Sequence, residues 1–192
     1  MKDLALHILD ITQNSITAGA NLIEIIINED APDGMISIYI KDNGAGVPKE
    51  MLKQITDPYT TSRKTRKVGM GLPLLRQNAE QTGGSLTINS ELGKGTEVNV
   101  KFAATHIDLP PWGDISGVII LMVAANPEII FSYIHRSVKG EYEFDTREVK
   151  KALEGVPIDN AEIREFLKDM INENLNEIGA CNTKLWEKDN NQ

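Results

Sequence analysis

Three short motifs, each of which contains glycine, stand in a fixed order between residues 10 and 74. They read DITQNSITAGA at residues 10–20, DNGAGVP at residues 42–48 and VGMGLPL at residues 68–74. Glycine permits tight turns and lets another group approach the backbone closely. Because each motif lies beside a segment with regular hydrophobic spacing, the three together constrain how one small domain can be built.

The hydrophobic spacing around these motifs predicts the order helix, two strands, helix, loop, helix, two strands. The first helix has apolar residues at Leu4, Ile8 and Ile11 and ends near Ala18-Gly19. Strands are expected at residues 21–28, 35–41, 85–91 and 97–102, helices at 48–56 and 72–83, and a mobile loop at 57–71. This order favours a fold of the α+β class, a two-layer α/β sandwich, over residues 1–104.

A smaller α+β unit is predicted for residues 105–178, after a linker at 105–113. The apolar run 117–125 is expected to be buried as helix or strand, and Asp114 would cap it if it is a helix. Residues 129–144 are expected to form a hairpin around Lys139-Gly140.

Two acidic pairs typical of helix starts follow the hairpin, Asp145 with Glu148 and Asp159 with Glu162. The second pair precedes a helix with one apolar face. That face comprises Ile163, Phe166, Leu167, Met170, Ile171, Leu175 and Ile178. Residues 179–192 are predicted to be a disordered tail.

Charge and composition limit the functions that the chain can have. The net charge is −8, divided as −1 over residues 1–104 and −7 over residues 105–192, and this acidity disfavours nucleic-acid binding. The longest apolar run is far shorter than the roughly 20 residues that span a bilayer. One cysteine, Cys181, excludes an internal disulfide and suits a reducing compartment. We therefore expect a cytoplasmic protein that does not act on membranes.

Asp10 and Asn14 lie one turn apart on the first predicted helix and therefore share a face. The side-chain oxygen of Asn14 suits Mg²⁺, whose protein ligands are oxygens and whose shell phosphates often complete. Asp10 is placed to orient or deprotonate a water or hydroxyl aimed at a terminal phosphate. The alternative is a solvated polar helix face with no ligand.

Asp42 directly follows a predicted strand with a buried face. An acid at that point can accept a hydrogen bond from an exocyclic amine such as that of adenine, and Gly44 and Gly46 would let a flat base approach. The alternative is an ordinary turn at the end of a strand.

A basic run that includes Lys64, Arg66 and Lys67 lies immediately before the third motif. Gly69 and Gly71 then lead into a helix that begins at Leu72. A helix start presents free N–H groups and the positive end of the helix dipole, which bind phosphate. The combination predicts a triphosphate site under a closing loop, although such a run is more often a solvated loop.

Thr96 and the three histidines complete the candidate residues. Thr96 belongs to a hairpin turn and can add a hydroxyl near a bound base. His7, His106 and His135 have no spacing that suggests a metal site, and His135 shares a face with Phe131 and Tyr133, so all three are expected to be structural.

Taken in order, these segments resemble the GHKL superfamily of ATPases and kinases, which includes gyrase-type, heat-shock, histidine-kinase and mismatch-repair members. LDITQNSITAGANLIEI resembles its N box, DNGAGVP its first glycine box, DPYTTSR its F box, VGMGLPLL its second glycine box and GKGTEVNV its last box. The resemblance covers about residues 1–104. It implies a Bergerat-type (histidine kinase-like ATPase) sandwich that binds ATP with Mg²⁺ under a lid.

The resemblance also assigns roles to residues of this chain. Asn14 would hold Mg²⁺ and Asp42 the adenine amine. Gly44 and Gly46 would line the base pocket, and Thr96 would lie near adenine. Gly69, Gly71 and Leu72 would meet the phosphates.

Three departures from the family pattern bear on function. Asp10 takes the place of the usual catalytic Glu, which would slow or redirect water activation. The chain begins directly on the N-box helix, so one sheet edge is expected to be covered by residues 129–144 or by another subunit of a homodimer. None of the three histidines has the helical setting and acidic neighbour of a phosphoacceptor, which disfavours autophosphorylation on histidine.

Three functions remain open at this point. The chain is either a signalling kinase that transfers phosphate to a separate partner protein, a slow ATPase or non-catalytic ATP sensor that switches a partner, or a mismatch-repair-like ATPase. The third is disfavoured because the chain is short for that family and its second half is acidic.

Overall fold

The computed structural model describes residues 3–48, 50–52 and 71–181. The helices are α1 (Leu4–Thr17), α2 (Gly71–Gln81), α3 (Ile115–Ala125), α4 (Thr146–Ala152) and α5 (Ala161–Glu177). The strands are β1 (Leu22–Asn28), β2 (Met35–Asp42), β3 (Ser85–Glu91), β4 (Gly95–Ala103), β5 (Ile130–Ser137) and β6 (Gly140–Asp145). Residues 50–52 are also helical.

The six strands form one sheet in the order β3-β4-β2-β1-β5-β6. Neighbouring strands are antiparallel except β1 and β5, which run parallel with Ile25 opposite Tyr133. Burial alternates along β1, β2 and β5 because successive side chains point to opposite faces. One face of the sheet therefore carries the core and the other is only partly covered.

The helices on the buried face are held to the sheet by apolar packing. Helix α1 packs on α2 and α3, and α3 packs on α5. The fully buried side chains of this layer and of the facing strands include Leu4, Ile8, Ile23, Ile25, Ile27, Ile38, Ile40, Leu75, Phe102, Phe131, Tyr133 and Phe144. Their burial confirms the two-layer α+β sandwich that the hydrophobic spacing predicts.

The segment that precedes α3 is bound to the start of α1. The N–H groups of Leu4 and Ala5 donate to the carbonyls of Pro111 and Trp112, both at 2.9 Å. The first N–H groups of a helix have no partner within the helix, so these bonds satisfy two of them. The side chain of Asp3 accepts from the N–H of Leu6 at 2.8 Å and caps the same end.

Most predictions for the second half of the chain are confirmed. The apolar run is a helix capped by Asp114, the hairpin forms around Lys139-Gly140, and Asp145 caps α4. One cap prediction is wrong by a residue, since Asn160 and not Asp159 caps α5. The predicted face of α5 is buried at Leu167, Ile171 and Leu175, whereas Phe166 is 62% exposed.

The hairpin of β5 and β6 extends the first sheet instead of folding apart from it. Because β5 pairs with β1, the hairpin covers that edge of β1, which is one of the two alternatives expected from the sequence. The domain boundary near residue 105 stays a prediction, although strands from both sides of that position belong to one sheet.

Several predicted segments fall partly outside the described residues. The loop 57–70, most of the helix 48–56 and the tail 182–192 lie there. The first residues of the predicted tail are placed, with Ala180 buried and the N–H of Cys181 donating to Glu29 Oε1 at 2.8 Å.

Candidate functional site

Asp42 is a buried acid because it continues the alternation of β2. Ile36, Ile38 and Ile40 point into the core, and Asp42 occupies the next position on that face with 6% of its surface exposed. A buried carboxylate requires hydrogen-bond partners. The end of this strand therefore places an acceptor between the sheet and α1.

Three protein donors fix the orientation of the Asp42 carboxylate. Ser15 Oγ on α1 donates to Oδ2 at 2.5 Å, while the N–H groups of Gly44 and Thr96 donate to Oδ1 at 2.9 and 3.2 Å. A carboxylate has about four lone-pair sites. With these three donors from the described residues, one acceptor site is left over, and it can take a donor from a ligand.

A cavity of about 380 Å³ opens beside this carboxylate. Its walls are mainly apolar, with the side chain of Asn14 at one side. Among the lining residues are Ile11, Asn14, Ser15, Ile40, Asp42, Gly46, Leu72, Ile88, Thr96 and Val98. An apolar cleft of this size with few polar groups is typical of a small-molecule site.

The DNGAGVP turn joins three distant parts of the chain at the mouth of the cavity. The N–H of Ala45 donates to Ala18 at the end of α1, at 2.9 Å, and the carbonyl of Ala45 accepts from Gly93 between β3 and β4, at 2.7 Å. The last part of the first motif and the start of the GKGT segment, residues 93–96, therefore meet at the second motif.

Gly46 is required in this turn for two reasons. Its φ of +64° is unfavourable for other residues, and a Cβ there would lie 2.1 Å from the carbonyl oxygen of Glu91. Gly44 is also tight, because a Cβ would lie 3.0 Å from Ala18 Cβ. Gly46 is among the residues that line the cavity, whereas Gly44 lies against Ala18 and Asp42. Their role beside a bound base stays a prediction.

The structure brings Asp10 of the first motif against Gly71 of the third. A Cβ on Gly71 would lie 1.6 Å from Asp10 Oδ2, so only glycine allows this contact between α1 and α2. Oδ2 is buried and has no hydrogen-bond partner among the described residues. Burial raises the pKa of the Asp10 carboxyl above its usual value.

Asn14 lies one turn after Asp10 and reaches the cavity. Its Nδ2 is buried and also lacks a hydrogen-bond partner within the described parts of the chain. Buried polar atoms in native proteins are nearly always satisfied, by protein, by water or by a ligand. Rotation of the terminal amide exchanges its nitrogen and oxygen, so Asn14 can present either to a ligand.

His7 precedes Asp10 by one turn and joins α1 to α2. Its Nε2 lies 3.0 Å from Nδ2 of Asn78. With the Asn78 amide in this orientation, its nitrogen donates and Nε2 of a neutral His7 ring accepts. Burial lowers the pKa of His7 to about 4. This is the structural role that the sequence predicts for it.

The remaining predicted residues divide into those at the cavity and those outside the described residues. Leu72 and Thr96 line the cavity. The basic residues Lys64, Arg66 and Lys67, together with Gly69, lie outside the described residues.

Three residues that support the site were missed as site residues in the sequence. Ser15 holds Asp42, and Asn43 joins the start of β1 to the end of β2 by accepting from the N–H groups of Asn21 and Leu22 at 3.0 Å. Ser90 Oγ accepts from the N–H of Val47 at 2.9 Å and contacts Thr96 Oγ1 at 2.9 Å. Ser15 sits at helical spacing on the inner face of α1, and a hydroxyl there is the signal that points to a buried partner.

The sequence profile of the family described as histidine kinase-, DNA gyrase B-, and HSP90-like ATPase matches residues 2–106. This is more than half of the chain. The chain belongs to this family. The match identifies this part of the chain as an ATPase- and kinase-like module, as the resemblance of the ordered motifs indicates.

Curated relatives are similar to this chain only over that module. The histidine protein kinase DivJ of Caulobacter vibrioides is 30% identical over 98 residues, covering 49% of this chain and 16% of the relative. The sensor protein SrrB of Staphylococcus aureus is 36% identical over 83 residues, covering 41% of this chain and 14% of the relative. The chain thus spans about a seventh of the length of these relatives.

A solved structure shows the same fold over a longer part of the chain. The N-terminal domain of a DNA repair protein superposes with a TM-score of 0.54 at 20% identity, covering 76% of this chain and 52% of that one. At this identity the likeness concerns the fold alone. Within the described residues, no helix is both long and apolar enough to cross a membrane.

Proposed function

We propose that this chain binds Mg·ATP in the cavity beside Asp42 and acts as a signalling kinase or ATPase on a separate partner protein. The observation that carries the proposal is the buried Asp42 carboxylate, which is held by three protein donors and keeps one acceptor site at an apolar cavity. That combination suits the exocyclic amine and the flat apolar faces of adenine.

The residues at the cavity fit the two ends of the nucleotide. Ile40, Ile88 and Val98 offer apolar contacts to the base. Asn14 lies on α1 at the wall of the cavity, and its Nδ2 has no partner among the described residues. Its side-chain oxygen would hold Mg²⁺. When bound, Mg²⁺ supplies positive charge that neutralises the phosphates. Lys64, Arg66, Lys67 and Gly69 are proposed to close over the same phosphates.

Asp10 is proposed as the general base, because one of its oxygens lacks a partner within the described residues and lies beside Gly71. Burial raises the pKa of its carboxyl, and a carboxylate with a higher pKa is a better proton acceptor. The shorter side chain of Asp compared with Glu favours slow turnover. This favours a second candidate function, an ATP sensor that switches its partner without rapid chemistry.

The histidines support transfer to a separate protein. His7 and His135 have 1% and 0% of their surface exposed, and both make side-chain hydrogen bonds. His106 accepts from the N–H of Asp108 at 3.1 Å in a turn. None of the three is an exposed side chain on a helix that could be presented to the phosphates.

The first experiment measures binding of ATP by calorimetry with and without Mg²⁺. Asn14→Ala is expected to remove most of the gain in affinity that Mg²⁺ provides and to leave the metal-free affinity unchanged. The matched control is Gln13→Ala, a change at the neighbouring exposed position of α1. If Asn14→Ala binds Mg·ATP as the wild type does, the metal role is wrong.

The second experiment follows γ-labelled ATP with and without cell extract. Label on an extract protein supports kinase activity, and free labelled phosphate supports an ATPase. Binding without either product supports the sensor. Asp10→Asn is expected to abolish turnover and keep ATP binding, so turnover that persists in this variant excludes Asp10 as the base.

A further inference from the structure

Three side chains with metal-binding atoms meet at the end of the sheet where β1 and β5 run parallel. Glu29 follows β1, His135 lies near the end of β5, and Cys181 follows α5. A carboxylate oxygen, a ring nitrogen and the thiol sulfur all lie within 4.8 Å of one another. These residues come from three distant parts of the chain and are unrelated to the nucleotide cavity.

His135 is buried, Glu29 and Cys181 are half-buried, and further contacts fix the geometry of the cluster. His135 has 0% of its surface exposed, and its Nε2 lies 2.6 Å from Glu29 Oε1. The N–H of Cys181 donates to the same oxygen at 2.8 Å. On the other side of the ring, the hydroxyl of Tyr133 lies 2.6 Å from His135 Nδ1.

We propose that Glu29, His135 and Cys181 form a Zn²⁺ site. Zinc takes carboxylate oxygen, imidazole nitrogen and thiolate sulfur at distances of about 2.0–2.3 Å, and the three atoms are close enough to share one ion after small shifts. Three protein ligands leave the fourth tetrahedral position to a water. Of the divalent ions, zinc suits this mixed set best, since Mg²⁺ and Ca²⁺ prefer oxygen alone.

Tyr133 supplies the outer contact that a zinc-bound histidine needs. A metal-bound imidazole usually donates its second N–H to a fixed acceptor. In the metal-free chain Nε2–H donates to the Glu29 carboxylate, and Nδ1 accepts from Tyr133. With zinc at Nε2, the ring proton would lie on Nδ1 and be donated to the Tyr133 oxygen, and the hydroxyl proton of Tyr133 would turn away from the ring. The Cys181 thiol releases its proton to solvent as the Zn–S bond forms.

The consequence of such a site is structural. The ion would fasten the chain after α5 to β1 and β5, and so hold α5 on the sheet. Burial raises the pKa of the Cys181 thiol, so the metal-free chain keeps a neutral thiol there at neutral pH. Zinc replaces that thiol with a coordinated thiolate.

Cobalt titration tests the site directly, because Co²⁺ replaces Zn²⁺ and reports its ligands by absorption. The purified full chain is treated with chelator, freed of it, and titrated with Co²⁺ without nucleotide. We expect one Co²⁺ per chain, a near-ultraviolet band from thiolate coordination, visible bands of a four-coordinate ion, and loss of all bands on adding Zn²⁺. Cys181 is the chain's single cysteine, so a thiolate band identifies its ligand.

Variants separate this site from incidental metal binding. Cys181→Ser is expected to lose the thiolate band, and Glu29→Gln to weaken Co²⁺ binding at least tenfold. His106→Gln, which changes a histidine beside Asp108, is the matched control and should bind as the wild type does. Zn²⁺ should raise the melting temperature of the wild type and of His106→Gln but not of Cys181→Ser.

The proposal is overturned by any of three results with folded protein, as judged by circular dichroism. These are the absence of a thiolate band at a large excess of Co²⁺, Co²⁺ binding that is equal in Glu29→Gln and wild type, and one ion shared by two chains in a dimer. None of these readouts depends on ATP binding.

Discussion

Two buried polar clusters on the same face of the sheet differ in how their atoms are partnered. Along α1, Asp10 Oδ2 and Asn14 Nδ2 are buried without partners among the described residues. At the end of β5, both ring nitrogens of His135 have partners, Tyr133 and Glu29. Because an unpartnered buried group costs about 1–3 kcal/mol, the first cluster is tolerated where a ligand can complete it, while the second already contributes to stability.

The comparison also separates the two clusters by accessibility. Asp42, beside the α1 cluster, borders the cavity and keeps an acceptor site. His135 lies in the same layer with 0% exposure and contacts the ring of Trp112 at a centroid distance of 5.7 Å. Substitutions beside the cavity should therefore affect ATP binding, and those in the β5 cluster should affect stability and leave ATP binding unchanged.

The largest effect is expected for Gly46→Ala. This change disturbs the turn after β2 that is hydrogen-bonded to the end of α1 and to the segment between β3 and β4. A positive φ costs about 1–2 kcal/mol for alanine, and contact of its Cβ with the Glu91 carbonyl adds about 1–3 kcal/mol. We expect unfolding free energy to fall by about 3 kcal/mol, with loss of ATP binding. Urea denaturation measures the first and calorimetry the second.

Gly34→Ala is the matched control for this change. Gly34 has a similar φ of +69°, but apart from its chain neighbours no atom of the described residues lies within 4 Å of a Cβ built there. Its expected cost is about 1 kcal/mol, with ATP binding unchanged. Equal costs for the two variants would show that the close approach of Glu91 is unimportant.

Asp42→Asn should have the next largest effect, and on binding more than on stability. The remaining carbonyl oxygen can still accept from Gly44 and Thr96, but the new NH₂ group cannot accept from an adenine amine. We expect ATP affinity to fall by about 2–3 kcal/mol, or roughly 30- to 150-fold, in a calorimetric titration.

The control for this variant is Glu97→Gln, which neutralises a half-buried carboxylate next to Thr96 in the chain. Glu97 pairs with Lys41 on the other face of the sheet, so ATP affinity should stay within twofold of wild type. An equal loss of affinity in both variants would indicate a general charge effect and contradict the role of Asp42.

Tyr133→Phe tests the other cluster and should lower stability without changing ATP affinity. It leaves His135 Nδ1 without its 2.6 Å partner, which we expect to cost about 1–2 kcal/mol of unfolding free energy while ATP affinity stays unchanged. Tyr142→Phe is the matched control, because the Tyr142 hydroxyl is buried without a partner in the described residues. A fall in ATP affinity in Tyr133→Phe would contradict the expectation that the β5 cluster does not affect ATP binding.

The sequence predicts the strands and the site residues for related reasons. Alternation at Ile36, Ile38 and Ile40 determines which face of β2 is buried and therefore places Asp42 in the core. The predicted caps at Asp114 and Asp145 are confirmed, because a cap depends only on residues that are close together in the sequence. Asp159 shows the limit, because the neighbouring Asn160 is an equally good cap and sequence alone does not choose between them.

Contacts between distant segments are the part that the sequence does not predict. Nothing in the local pattern of Ser15 or Ser90 names Asp42 or Val47 as its partner. The parallel pairing of β5 with β1 likewise joins residues more than a hundred positions apart. Such pairings depend on the packing of the whole sheet, so the proximity of Glu29, His135 and Cys181 becomes visible only in three dimensions.

The smallest effect concerns the change of stability with pH that arises from His7. Its Nε2 has a hydrogen-bond partner, Asn78, whereas its Nδ1 has none among the described residues. Its folded-state pKa is lowered to about 4 from the ordinary value of 6.5, so the unfolded chain takes up a proton first as pH falls. Stability from this group is therefore full above pH 6.5 and is lost as pH falls from 6.5 toward 4. The full shift would correspond to about 3 kcal/mol, and solvent screening reduces our expectation to about 1–2 kcal/mol.

Urea denaturation between pH 7 and pH 4.5 should show a shallower loss of stability for His7→Gln than for wild type, whereas His106→Gln should follow the wild type. If His7→Gln loses stability as steeply as the wild type, the acid sensitivity arises from other groups and the bond between His7 and Asn78 does not depend on a neutral ring.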